Sequence, residues 1–284
     1  MASKQHKNHV LITNQNALDL FSCIFLVISY LVKLSDIRLS GWIGYWLCML
    51  IVTENILWCG IYGSIINLAI IAVECYLKVV HYAWSKLNLR NWMIYLAMAF
   101  AWIGSIVYTN TLVFSTCTVN VINGVCNIMV FSSKSFQLFW SIWDVISFYV
   151  IILLIFIFCY GRILLVVRRQ AKIMSRHAAA GSNTSQTHNH IQTNIIKTMI
   201  LVCGFYAVMW LPNHIIALVM ALSPNPYHYY DSGYYASSLF IAFLYMCTNP
   251  FIYATKFDPV KEILLRMIPC KKTSNPAAVN VVIA

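Results

Sequence analysis

Six long apolar runs dictate what this chain can fold into: Val10 to Val32, Tyr45 to Val80, Trp92 to Val113, Phe139 to Val167, Ile195 to Leu222 and Tyr234 to Tyr253. A helix needs roughly 20 apolar residues to cross about 30 Å of hydrocarbon, and each run supplies that length. Lipid offers no partner to backbone N–H and C=O groups, so such runs predict helices and not strands with open edges. Hydrophobic residues make up 61% of the 284 positions and charged ones 10%, a balance that excludes an ordinary soluble domain. The expected fold class is an all-α membrane protein. The second run exceeds one crossing, so it is expected either to tilt strongly or to extend into the cytosol, and its polar C-terminal end favours extension.

Basic residues orient the runs. Placing the N-terminus, the loops after the second and fourth runs, and the C-terminus on one side collects all of the 19 Lys and Arg except Lys33, Arg38 and Lys134. Positively charged loops stay in the cytoplasm, so both ends are expected there and the protein in the plasma membrane. The net charge of +11 then reflects topology and attraction to anionic inner-leaflet lipid. It is no nucleic-acid footprint, because no basic stripe interleaves with aromatics outside the runs. The expected organisation is a cytoplasmic segment over 1–9, a membrane domain over 10–256 with a mobile cytoplasmic loop at 170–194, and a tail over 257–284. The polar first nine residues are neither a signal peptide nor a span.

Two prolines inside runs predict bent helices. Pro250 follows Asn249 with Tyr253 three residues on, and Pro212 follows Trp210-Leu211. Each removes a backbone donor and bends its helix, which survives in a membrane only where neighbours repair the defect. The two runs are adjacent, without the matching halves of a transporter repeat. In the tail, Val260, Ile263, Leu264 and Met267 follow the spacing of an amphipathic helix, and Cys270 beyond it is either a palmitoylation site or a plain thiol. Among ten cysteines, Cys48, Cys117 and Cys126 fall at or beyond the non-cytoplasmic surface. A bridge from Cys48 to Cys126, with Cys117 as the alternative, is expected to tether the loop containing Cys117 and Cys126 over the bundle.

Asp19, after Asn14 and Asn16, is an ionisable group inside a run, and such groups usually mark a functional interior. With Ser64 and Asn249 it is expected to bind a small cation or share a proton; the plain alternative is a protonated Asp19 bonded to Asn249. Several motifs then occur in order: Asn16-Ala17-Leu18-Asp19-Leu20, Glu74-Cys75-Tyr76, Trp102, Tyr160, Trp210-Leu211-Pro212 and Asn249-Pro250-Phe251-Ile252-Tyr253. In this combination the chain resembles a class A, rhodopsin-like G-protein-coupled receptor, and within it the peptide-type or orphan branch of invertebrates.

The resemblance implies a seven-transmembrane receptor bundle represented by six helices, the family's second to seventh, plus a short amphipathic C-terminal helix. The family's first helix would be missing, through truncation or in a six-span variant. It implies a receptor and no enzyme, with Trp210 as the toggle beneath a ligand pocket, Tyr160 and Tyr253 swinging together on activation, and Asp19, Ser64 and Asn249 as a polar cluster able to take sodium. No other cofactor is implied. The implied pocket comprises Leu57, Trp58, Ile61, Trp143, Asn213, His214 and Leu239, a mixed lining suited to an extracellular peptide or a neutral small molecule. No carboxylate stands at Leu57 or Trp58, although Glu54 is one turn higher, so a biogenic amine is disfavoured.

The chain departs from the family where Cys75 replaces the Arg that pairs with the neighbouring acid and contacts the G protein. A thiol cannot supply a guanidinium's five donors, so Glu74 is expected to lack its partner. Gln192, uncharged, stands where the resting lock is completed; Met209 replaces the Cys before the toggle; and no proline occurs near Ile152. Two expectations follow: a receptor signalling through a heterotrimeric G protein, or a non-coupling, decoy-like form.

Overall fold

The computed structural model describes residues 2–35, 38–122, 125–130, 133–178, 186–223 and 233–256, with backbone alone over 2–9, 115–122, 125–130, 171–178, 186–197, 250 and 253–256. Helix α1 spans Ala2–Leu34, α2 Gly41–Leu47, α3 Asn55–Val80, α4 Tyr82–Asn88 and α5 Asn91–Thr116. Strands β1 (Cys117–Ile122) and β2 (Val125–Val130) follow, then α6 (Lys134–Asp144), α7 (Ile151–Ala178), α8 (Gln186–Leu222) and α9 (Gly233–Lys256). Two π-helical turns interrupt the pattern, Cys48–Val52 after α2 and Val145–Val150 between α6 and α7.

Five segments are long and apolar enough to cross a membrane: Val10–Leu34, Gly41–Val80, Asn91–Phe114, Lys134–Gln170 and Thr198–Leu222. The sixth expected run forms α9, which is not among those five but packs on α8 and α1. The most apolar stretch of Gly41–Val80 is 72% buried, against 22% to 28% in the others, so α3 is the axis of the bundle, contacting α1, α5 and α7. Two glycines allow its close approach. A Cβ on Gly60 would overlap Ser22 Oγ and sit 2.8 Å from the Phe21 ring, and one on Gly63 would sit 2.9 Å from Leu18 Cδ2. Small residues at helix contacts are how membrane helices gain packing without a hydrophobic drive.

Several expectations need correcting. The second run is not one tilted or overlong helix: it breaks at Thr53-Glu54, where Glu54 takes φ +61°. Residues 2–9 of the expected N-terminal cytoplasmic segment are helical and continue α1. Helix also covers 170–178 and 186–194, leaving only 179–185 of the expected mobile loop outside the described residues. The loop after α5 forms an antiparallel hairpin in which Ile122 pairs with Val125. That register leaves a two-residue link, and Asn123-Gly124 there is the strongest short hairpin signal a sequence carries. Near Ile152, where no proline occurs, the Val145–Val150 π turn supplies the backbone irregularity.

Candidate functional site

Along α3, running from the hairpin end of the bundle, three tiers of side chains follow one another: aromatic at Trp58 to Tyr62, polar at Ser64 to Asn67, and Glu74-Cys75 at the far end. At 1.5 Å per residue, Trp58 and Ser64 are separated by about 9 Å, and Ser64 and Glu74 by about 15 Å.

The polar tier brings Asp19, Ser64 and Asn249 together as expected. Ser64 Oγ donates to Asp19 Oδ1 at 2.6 Å, and Asn249 Nδ2 donates to Oδ2 at 3.0 Å. Sequence reasoning missed two members. Gln15 Nε2 reaches both carboxylate oxygens, at 3.3 and 3.4 Å, and also bonds Ser64. Asn67 Nδ2 donates to Gln15 Oε1 at 2.9 Å and to the Leu11 carbonyl at 3.1 Å. Asn14 Nδ2 donates to Asn67 Oδ1 at 2.9 Å, and Trp102 Nε1 donates to Asn14 Oδ1 at 3.0 Å. The result is one hydrogen-bonded chain from α5 through α1 and α3 to α9, with Gln15, Asn67 and Asn249 fully buried. Trp102 therefore does more than pack, although its ring also meets Phe21 edge-on at 5.5 Å. Asn249 Oδ1 is buried without a hydrogen-bond partner, while its Nδ2 is the atom turned to Asp19. Asp19, Ser64 and Asn249 supply the oxygens a sodium ion would take, and the Gln15, Ser64 and Asn249 donors occupy the carboxylate in this arrangement.

In the aromatic tier, Trp210 on α8 is 1% exposed and its ring lies 6.4 Å from Trp58 and 6.3 Å from Tyr206. Tyr206 in turn meets Tyr245 of α9 edge-on at 5.7 Å. Leu57, Ile61, His214 and Leu239 are buried, and Trp58 and Asn213 are half-buried. Trp143, expected among them, is 48% exposed. Its neighbour Asp144 is the side chain that turns toward α3: Tyr62 and Tyr108 hydroxyls donate to Asp144 Oδ1 at 2.7 and 3.1 Å. His214 Nδ1 lies 3.6 Å from the other oxygen, Oδ2. Asp144 was absent from the expected site. The rule that ionisable residues inside spans are functional marks it as strongly as Asp19.

At the far end, the expectation that Glu74 lacks a partner is corrected: Lys78, one turn on, donates to Glu74 Oε1 at 2.6 Å. Cys75 is half-buried with a free thiol. Tyr160 is 5% exposed and lies in the same core cluster as Cys159 and Cys203, beside Cys75. Tyr76 bonds His81 at 3.1 Å.

Helix α8 runs through Pro212, and the backbone of α9 through Pro250 and Tyr253. The side chains of Pro250, Tyr253 and Gln192, and all of Val260 to Met267 and Cys270, lie outside the described residues. Cys48 is buried and disulfide-bonded; the side chains of Cys117 and Cys126 lie outside the described residues, so Cys126 stands as its expected partner only.

The sequence profile of the 7 transmembrane receptor (rhodopsin family) matches residues 2–253. Similar curated proteins include lysophosphatidic acid receptor 1-B of Xenopus laevis, 25% identical over 143 residues, or 50% of this chain and 36% of that one. Human lysophosphatidic acid receptor 3 is 26% identical over 160 residues, 54% of this chain and 42% of that one. Mouse lysophosphatidic acid receptor 1 is 26% identical over 145 residues, covering 51% and 36%. The chain thus spans well under half the length of the curated relatives it matches.

Proposed function

Since the chain belongs to the rhodopsin family of seven-transmembrane receptors, a multi-pass membrane family of receptors and not of enzymes, we propose that it is a ligand-biased switch in which α8 moves against α3 and α9. The observation that carries this reading is the placement of buried Trp210 between Trp58 on α3 and, through Tyr206, Tyr245 on α9. Pro212 lies two residues beyond Trp210, so pressure on the indole acts where the helix is easiest to bend. A ligand that favours one indole position shifts a two-state equilibrium by its differential affinity for the two states.

The proposed ligand is an extracellular peptide or neutral small molecule. The relatives are named for lysophosphatidic acid, an anionic lipid, but in this chain Lys33 is bridged by Glu54 and the aromatic tier carries the Asp144 carboxylate with no Lys or Arg among the described residues. Both features favour a ligand without a net negative charge. Sodium, held by Asp19, Ser64 and Asn249, is proposed as a modulator that steadies the resting arrangement.

The proposed intracellular partner is a heterotrimeric G protein. A second reading, receptor-like binding without coupling, is favoured by Cys75 and by the closed Lys78–Glu74 pair, which leave the far end without the expected guanidinium. Nucleotide exchange on purified G protein, measured beside the chain and its Cys75→Arg variant, separates the two. Exchange with the unmodified chain supports coupling, exchange only with the variant supports the non-coupling reading, and none with either sinks the proposed switch output.

A further inference from the structure

Asp144 closes α6 just before the π turn, within a segment that crosses the membrane. A charge there is costly and persists where it has a partner or a task. Its two oxygens are treated differently. Oδ1 accepts both tyrosine hydroxyls, whereas Oδ2 accepts no hydrogen bond among the described residues and lies 3.6 Å from His214 Nδ1, beyond hydrogen-bonding reach. The His214 ring is 4% exposed, and neither nitrogen has a hydrogen-bond partner. One carboxylate oxygen and one buried imidazole nitrogen therefore lie side by side, close enough for a single donor beside them to reach both, while the Asp144 side chain is 22% open.

The side chains around this pair are aromatic. The Tyr62 ring lies tilted 4.3 Å from Phe148 and edge-on 4.9 Å from Tyr108, Trp58 lies 5.8 Å from Tyr62, and His214 is 6.0 Å from Trp210. Ring faces attract cations and repel anions. The neighbouring elements add no compensating positive charge among the described residues: α3 offers Tyr62, α5 offers Tyr108 and α8 offers His214, while Lys33 is engaged by Glu54. A carboxylate oxygen without a hydrogen-bond donor, set among aromatic rings, is the chemistry of an ammonium or guanidinium receptor.

We propose that Asp144 is the counter-ion for a protonated basic group of the ligand, an amine or guanidinium that donates to Oδ2, with the His214 ring as a second acceptor. The site rests on the receptor reading and narrows it to ligands with a basic group, such as a peptide with a Lys or Arg side chain. It also answers the argument from α3 against amines, since the carboxylate comes from α6 instead. Bound there, the cation sits against His214, four residues from Trp210 on the same helix, so the charge is delivered where α8 is to be moved.

The test uses the full chain in lipid nanodiscs and three probes of similar size: 2-phenylethylamine, 3-phenyl-1-propanol and 3-phenylpropanoate. The unfolding midpoint is followed through the buried thiols Cys159 and Cys203 with a thiol-reactive dye. The amine is expected to raise the midpoint saturably, the alcohol and the acid to leave it unchanged, and Asp144→Asn to weaken amine binding at least about tenfold. If Asp144→Asn does not fold, the charge series on the unmodified chain still decides. No shift with the amine, an equal shift with the alcohol, or a shift that survives Asp144→Asn unchanged overturns the proposal. A selective shift without any effect on nucleotide exchange leaves this site standing and removes the receptor reading. Exchange driven through Trp210 by a ligand with no basic group, undiminished in Asp144→Asn, does the reverse.

Discussion

Asn67 is the hub of the polar tier, and its removal gives the sharpest test of that network. Its side chain is fully buried and makes three hydrogen bonds, to Asn14, Gln15 and the Leu11 carbonyl. Side-chain hydrogen bonds between membrane helices average about 0.6 kcal/mol and reach about 1.7. Three of them lost in Asn67→Ala therefore amount to about 2 kcal/mol, and about 5 at the upper value. The Leu11 carbonyl sits in a helix, where it also serves the backbone ladder, so its loss lies at the low end. The expected cost is about 2–4 kcal/mol, with the space vacated beside α1 adding to it. Unfolding in mixed micelles of rising dodecyl sulfate fraction measures this directly. Asn14→Ala breaks one of the same bonds, so the double variant should fall short of additivity by about 0.6–1.7 kcal/mol. A single-variant cost below about 0.5 kcal/mol, or strict additivity of the pair, would show that the network contributes nothing to holding α1 on α3.

Other outcomes follow from the same geometry. Gly60→Ala should cost about 1–3 kcal/mol by pressing on Ser22 and Phe21, while Gly104→Ala, whose new Cβ meets only Ile66 Cδ1 at 4.0 Å, should be neutral or slightly stabilising; equal effects in thermal unfolding would contradict the close α3–α1 approach. Sodium chloride should raise the unfolding midpoint relative to N-methylglucamine chloride of equal strength, and Asp19→Asn should erase the difference, because ligand binding to the folded state alone stabilises it. Glu74→Gln should cost under about 1 kcal/mol, as a partly exposed i,i+4 pair does; a larger loss by the same unfolding measurement would mean that Glu74 serves more than Lys78.

The helices were legible because lipid demands long apolar runs, and Asp19, Ser64 and Asn249 because polar residues in such runs are conspicuous. Gln15 and Asn67 were no less polar, but their roles depend on which faces of α1 and α3 meet, and that is set by the close contacts at Gly60 and Gly63. Asp144 was visible and overlooked, crowded between Trp143 and an apolar stretch. Tyr62 and Tyr108 gave no sign, since a tyrosine reads as a core or interfacial aromatic until the acceptor for its hydroxyl is known. The break at Glu54 has no sequence mark, because a positive φ is rare for any residue but glycine and the position holds none. The Glu74–Lys78 pair followed from i,i+4 spacing alone and was hidden by attention to Cys75.

The polar chain from Trp102 to Asn249 joins α5, α1, α3 and α9 but includes no residue of α7 or α8. Those two helices are linked instead near the π turn, where the Tyr149 hydroxyl donates to the Ala207 carbonyl at 2.8 Å and the Tyr206 hydroxyl to the Phe148 carbonyl. The bundle thus divides into a stator pinned by directional bonds and a rotor that meets it through edge-on rings and through the Tyr62 and Tyr108 bonds to Asp144 beside the π turn. Ring stacking is worth about 0.5–1.5 kcal/mol per pair beyond area and tolerates several geometries, so the rotor can slip between registers while the stator keeps its own.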